Sequence, residues 1–226
     1  THPLGLESFS TGEGNDQVQL CACNAAGVVV ILNPTRQESV VQRFCVYKQP
    51  VPTKGTGTDG ALKQDEQPVA LATTFALDVA GNRVAVGGPD RETVLFDIET
   101  AKQVWKTKNL APDPQTLLQP QVWPTAIRFL SSDCVLGSNI MAVGNGYKQV
   151  RIYDVRPTPT QRRPICWTPE GLLEHRVPAI TQTDETHIVE GDAAGYCHTI
   201  DQRTCVRPTH PAPRWQTRGR SVGPTG

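Results

Sequence analysis

The stretch Met141-Ala142-Val143-Gly144-Asn145-Gly146-Tyr147-Lys148-Gln149-Val150-Arg151-Ile152-Tyr153-Asp154 decides how the chain is read. Two short β-prone runs flank a turn rich in Asn and Gly, the pattern of a hairpin. A glycine ends the first run and an aspartate closes the second, ten residues later. The same rhythm recurs. Val84-Ala85-Val86-Gly87 leads to Thr93-Val94-Leu95-Phe96-Asp97, and His187-Ile188-Val189-Glu190-Gly191 leads to Cys197-His198-Thr199-Ile200-Asp201. A weaker copy runs from Gln19-Leu20-Cys21-Ala22-Cys23 to Val28-Val29-Val30-Ile31-Leu32-Asn33, with Cys23 in the glycine's place and Asn33 in the aspartate's. The glycine is expected to let the backbone reverse. The closing Asp or Asn is expected to bond nearby amides and tighten the next turn.

Further strand candidates flank each hairpin. Leu6–Ser10, 69–77, Thr125–Leu130 and 178–183 precede them; Val40–Tyr47, Lys102–Lys106 and Pro164–Trp167 follow, with a poorly defined segment near 204–207. Four strands per repeated unit is the signature of a propeller blade. The expected units are 3–50, 67–109, 121–170 and 176–208, within a domain spanning 1–208. The fold expected is therefore an all-β, WD-type β-propeller with about four blades visible, part of a seven-bladed ring that would leave no long strand edge open. Spacing between closing residues falls from 64 to 57 to 47. The excess sits in Pro/Gly-rich connections at 48–67 and 109–124. Residues 209–226 read as a basic Pro/Arg-rich tail or the start of a further blade.

Composition agrees. Glycine and proline supply 19 residues each, which suits many turns and few helices. Lys+Arg and Asp+Glu balance at 22 each, so net charge gives no argument for wholesale nucleic-acid binding. The seven cysteines show no disulfide spacing and no Cys-x-x-Cys, so they are expected to be mostly small buried hydrophobes in a reducing compartment. No run approaches the length needed to cross a bilayer. Gly-x-Ser-x-Gly, Walker and dinucleotide loops are absent. Cys197 and His198 are adjacent and so point to opposite strand faces, which bars a dyad. An enzyme, a metal site, a cofactor and a small-molecule substrate are all unexpected.

Several segments are more specific than a generic repeat. Gly144-Asn145-Gly146-Tyr147-Lys148-Gln149-Val150-Arg151-Ile152-Tyr153-Asp154 is followed, after seven residues, by Arg162-Arg163-Pro164. Upstream lie Val86-Gly87-Gly88, Phe96-Asp97 and Lys106-Thr107-Lys108-Asn109. This pattern resembles a eukaryotic WD-repeat family of nucleolar assembly factors for the large ribosomal subunit, over about 69–205 and more weakly over 3–47. On that family's pattern these would be blades three to six, with Gly219-Arg220-Ser221-Val222 entering the seventh. The chain departs from it in having Phe96-Asp97 where Trp-Asp stands, and in the 48–67 insertion. The resemblance implies a scaffold in the nucleolus and nucleus, bound to ribosomal RNA and assembly factors in precursor large subunits and released by an AAA-type ATPase.

Lys106, Lys108, Asn109, Tyr147, Lys148, Gln149, Arg151, Arg162 and Arg163 are the candidate binding residues. Alternation places Val150, Ile152 and Asp154 on one face and Gln149, Arg151 and Tyr153 on the other. An arginine within a packed strand must find a carboxylate, a carbonyl or solvent. Arg151 is thus either an inter-blade hydrogen-bonding residue or, with Arg162 and Arg163, part of a basic patch for phosphate or an acidic partner. Lys106 and Lys108 read equally as a solvated blade edge. Trp105 and Trp123 read as packing rather than base-stacking residues. Two rivals stand beside the scaffold: a general WD-repeat adaptor, such as a ubiquitin-ligase substrate receptor, and a propeller hydrolase.

Overall fold

The first unit meanders through β1 (Pro3–Ser10), β2 (Val18–Asn24), β3 (Val28–Leu32) and β4 (Val40–Cys45), antiparallel at every step. A computed structural model describes residues 3–10, 18–34, 39–47, 71–78, 82–131, 139–156 and 161–206. The second sheet holds β5 (Thr74–Asp78), β6 (Arg83–Gly88), β7 (Arg91–Asp97) and β8 (Gln103–Lys106). The third holds β9 (Pro124–Leu130), β10 (Ile140–Asn145), β11 (Gln149–Asp154) and β12 (Cys166–Trp167). The fourth has three strands among the described residues: β13 (Ala179–Gln182), β14 (His187–Gly191) and β15 (Cys197–Asp201). The expected segments 48–67 and 209–226 lie outside the described residues.

The blades face one another. β1 adjoins β5, β5 adjoins β9, and β9 adjoins β13, so the leading strands form a series along one side. Alternate residues of one strand feed the two neighbouring interfaces. Val84, Val86, Val94 and Phe96 join Cys21, Val29 and Ile31 between the first and second blades. Ala85, Leu95 and Trp105 join Met141, Val143 and Tyr153 between the second and third. Ala142, Val150 and Ile152 join Leu173, Val177, Ile188 and Ile200 between the third and fourth. Full burial of an aliphatic side chain of this kind contributes about 1.5–3 kcal/mol, and each interface holds several. This is an all-β assembly of WD-type propeller blades, stabilised blade against blade.

The repeat glycines have a different purpose from the one expected. Gly87 and Gly144 are not among the positive-φ residues; the reversals in their hairpins use Asp90 and Lys148, at φ 52° and 61°. A Cβ on Gly144 would lie 2.7 Å from Val177 Cγ1, and one on Gly87 would lie 2.5 Å from Pro124 Cβ. These glycines leave room for the next blade's entry strand, which a spacing pattern within one unit does not show. The closing aspartates act as expected. Asp97 Oδ1 accepts from the Thr100 amide at 2.7 Å, Asp154 from the Arg156 amide at 3.0 Å, and Asp201 from the Arg203 amide at 2.8 Å.

The cysteines correct the sequence reading twice. Cys166 on β12 is disulfide-bonded to Cys205, 39 residues away, just after β15. Spacing could not reveal a bond that depends on the outer strand of one blade meeting the last turn of the next. Among the free described cysteines, Cys21 and Cys23 are buried, but Cys45 and Cys197 are exposed. Burial pushes the Cys21 and Cys23 thiols up to about 12, which keeps them as inert core groups.

Candidate functional site

The residue after each repeat glycine fixes the turn that carries the site. Asn24 Oδ1 accepts from the Ala26 and Val28 amides, and Asp192 Oδ1 from those of Ala194 and Tyr196. Asn145 Oδ1 accepts from the Tyr147 amide and from the Trp123 amide, both at 3.1 Å. The second blade has Gly88 here instead, because a Cβ would lie 1.9 Å from the Leu71 carbonyl oxygen. Sequence reasoning places Asn145 and Asp192 in the hairpin turns but not the role they share with Asn24, although the three follow Gly144, Gly191 and Cys23 in register. The clamp presents Tyr147 and Lys148 at the exposed tip of the third blade's hairpin.

Gly146 is small for a packing reason as well. A Cβ there would lie 2.3 Å from Trp123 Cε3. The Trp123 ring meets Tyr147 edge-on at 6.2 Å, and Trp105 meets Tyr153 edge-on at 6.1 Å. Both tryptophans pack, as the sequence suggests, and neither is an open stacking platform.

A cleft of about 550 Å³ lies over the third blade. Leu110, Pro120 and Gln121 line it from the connection entering the blade; Glu170, Leu173 and Glu174 line it from the connection leaving it. Tyr147, Lys148, Gln149 and Arg151 line it from the third blade's hairpin. Four of the nine candidate residues therefore share one cavity. Asn109 joins them indirectly: Arg151 Nη1 donates to Asn109 Oδ1 at 3.0 Å, and Arg151 Nε donates to Gln149 Oε1 at 2.7 Å. Asn109 in turn donates through Nδ2 to the Pro120 carbonyl at 2.5 Å. Arg151 is 3% exposed and bridges the second and third blades.

The remaining candidates form a second group. Arg162 Nε donates to the Lys106 carbonyl at 2.8 Å, and the Lys108 amide donates to the Arg162 carbonyl at 2.7 Å. This clamps the outer strand of the second blade to the β11–β12 connection. Lys108 and Arg163 are exposed, while Lys106 and Arg162 are half-buried. The two clusters meet through the Lys108–Asn109 step, not through a continuous basic surface, and Glu170 and Glu174 make the cleft itself mixed in charge. No spacing pattern ties those two glutamates to the repeat, so pattern reading does not reach them.

Histidines sit with carboxylates. His198 Nδ1 lies 2.5 Å from Glu190 Oε1, and His175 Nδ1 lies 3.2 Å from Asp192 Oδ2. The approach of His187 to His198 that neighbouring strands allow is not made: His198 pairs across from Glu190 and His187 from Asp201. Among the described residues no group of three or more His, Cys, Asp or Glu could hold a metal, and no helix is long and apolar enough to cross a membrane.

No family model and no curated protein matches the chain. Among solved structures 815 chains match, so the fold is too widely shared to carry one function. One is a chain of a humanized mutant of the Chaetomium thermophilum Polycomb Repressive Complex 2 bound to the inhibitor GSK126. The likeness covers 90% of this chain and 38% of that one, with a TM-score of 0.60 and 7% identity. Identity that low makes it a likeness of fold alone, and the present chain spans well under half of that chain.

Proposed function

We propose that the chain is a non-catalytic binding scaffold whose cargo is the precursor of the large ribosomal subunit, ribosomal RNA and assembly factors together. On this reading it works in the nucleolus and nucleus and is released by an AAA-type ATPase. One observation supports it above the others. Within the segment that resembles the assembly-factor signature, Tyr147 and Lys148 stand exposed at a hairpin tip held by Asn145, with Tyr147 braced edge-on by Trp123, a placement that supports contact with a partner. The mechanism is binding and release across a rigid array of loops, with no covalent step.

Affinity purification of the intact protein from nuclear extract tests this. Ribosomal RNA and assembly factors should be enriched, with recovery falling between about 50 and 200 mM salt if phosphates are contacted. The double substitution Tyr147→Phe, Lys148→Glu should cut recovery while leaving thermal stability unchanged, since the ring contact with Trp123 is kept. Recovery of neither class of cargo ends the ribosomal reading. The general WD-repeat adaptor has one observation in its favour, the acidic pair Glu170 and Glu174 beside the cleft; enrichment of ubiquitin-ligase subunits in the same purification would select it.

A further inference from the structure

The cleft over the third blade is lined by charges of both signs. Arg151 is one of its lining residues and is 3% exposed. Its two shortest hydrogen bonds go to the neutral amide oxygens of Gln149 and Asn109, and it also bonds to the Tyr153 phenol, so none of its hydrogen-bond partners is a carboxylate. Desolvating a guanidinium costs several kcal/mol unless a counter-charge compensates it. No carboxylate among the described residues forms an ion pair with it. Glu92 shares with it a separate cavity of about 10 Å³, room for a single water, but accepts the Thr107 hydroxyl at 2.5 Å instead. The exposed residues Glu170, Glu174 and Lys148 line the same cleft.

We infer that this cleft is a peptide-recognition pocket: a carboxylate of the partner pairs with Arg151, and a basic side chain beside it meets Glu170 and Glu174. A volume of about 550 Å³ suits a few side chains. The carboxylate supplies the counter-charge that the fold does not give this guanidinium, as a charge-assisted hydrogen bond. The same arrangement selects against a nucleic-acid backbone, which would lay a row of phosphates along Glu170 and Glu174. The inference rests on reading the chain as a binding scaffold and is independent of the cargo's identity.

Fluorescence anisotropy on the full chain tests it. The probes are capped, fluorescein-labelled peptides of sequence Ala-Arg-Glu-Leu-Ala, one control with Gln for Glu, one with Ala for Arg, and an oligouridylate. The parent peptide should bind at least about tenfold tighter than the Gln control. Glu170→Gln with Glu174→Gln, both on exposed residues, should abolish the preference for Arg over Ala beside the carboxylate. Asn109→Asp is the discriminating variant, because it supplies an internal carboxylate 3.0 Å from Arg151 Nη1. It should weaken the parent peptide about tenfold while leaving the melting temperature equal or higher, an outcome that a purely structural Arg151 would not give. Equal affinity for the Glu and Gln peptides, unchanged binding by N109D, or tighter binding of oligouridylate than of any peptide overturns the pocket. If the peptide series fails while ribosomal cargo is still recovered from extract, the pocket falls and the scaffold reading stands. If the peptides behave as expected and no ribosomal cargo is recovered, only the ribosomal reading falls.

Discussion

The third and fourth blades share a repeat but not an environment. β10 and β11 are buried along nearly their whole length, on both faces, because the second blade covers one side and the fourth covers the other. β13 and β14 alternate between buried and accessible positions, the pattern of a sheet covered on one face. The third blade is also completed by β12, whereas the fourth has three strands among the described residues and a disulfide from Cys205 back to β12. Burial in such an array is set by a strand's neighbours as much as by its own residues. That is why Arg151, in the sandwiched blade, must be held by Gln149 and Asn109, while Tyr196 and Cys197 in the outer blade can stand exposed.

If the staple rather than strand pairing secures the fourth blade, reduction should expose the difference. The loop closed by Cys166 and Cys205 spans 39 residues. A chain-entropy treatment gives up to about 4 kcal/mol for a loop of that size. Reduction, or Cys166→Ser with Cys205→Ser, should lower stability in urea by an amount of that order. Amide exchange should rise in β14 and β15 well before it rises in β10 and β11. Uniform loosening of both blades would break the comparison, and a non-reducing digest lacking the linked peptides would remove its premise.

Glycine substitutions sharpen it next. Gly144→Ala drives a methyl to within 2.7 Å of Val177 Cγ1 and 3.0 Å of the Val177 carbonyl oxygen, so a blade must shift. Overpacking of this kind costs about 1–3 kcal/mol. At Gly191, the matching position in the fourth blade, the nearest contact is Ala179 Cβ at 4.0 Å. Gly191→Ala should be neutral to within about 0.5 kcal/mol. Equal losses for the two substitutions, by urea denaturation, would show that the third blade's sandwiching is not what makes its glycine necessary.

The same two glycines mark how far the sequence could be read. They stand in register and announce the blades, so strand order and the alternation of Val150 and Ile152 against Arg151 and Tyr153 were legible from one unit alone. What Gly144 must avoid is Val177, a residue of the next unit, and no pattern internal to a repeat encodes that contact. The site divides in the same way. Tyr147, Lys148, Gln149 and Arg151 are consecutive or nearly so, and their shared cleft follows from hairpin geometry. Asn109 is legible as a candidate, but its bond to Arg151 crosses from one unit to the next; Glu170 and Glu174 come from the connection after β12, and the Cys166–Cys205 bond joins two blades. Each depends on how separate units dock, and docking has no periodic signal.

A smaller effect concerns the hydroxyls that tie one blade to the next. Thr125 donates to the Val177 carbonyl at 2.6 Å, as Thr73 does to the Pro124 carbonyl at 2.5 Å. Pro178, which follows Val177, has no hydroxyl to extend this series outward. Thr125→Val keeps the volume and removes the bond, and should cost about 1 kcal/mol. Pro178→Thr should recover nothing, since no further blade among the described residues offers it a carbonyl. A gain from that substitution, measured by thermal denaturation, would place an acceptor beyond the fourth blade.

The weakest expected effect is acid sensitivity, and it too differs between the blades. The Arg156 side chain bonds to Asp154 and holds that carboxyl below its ordinary 3.8; the Arg203 side chain does the same for Asp201. A carboxyl depressed in the folded state contributes stability that is complete above its unfolded value and lost as pH falls through the folded value. Stability should therefore decline below a pH of about 4, in the direction of acid unfolding. Asp154 is the more enclosed of the two, with its side chain 8% exposed against 18% for Asp201. Both arginine partners are largely in solvent, so screening keeps each contribution under about 1 kcal/mol. Asp154→Asn should flatten the acid limb of the stability profile more than Asp201→Asn does. The reverse ranking, in urea titrations run from neutral pH down to about pH 3, would mean that the outer blade is the better shielded one. That would contradict the difference in burial from which the comparison begins.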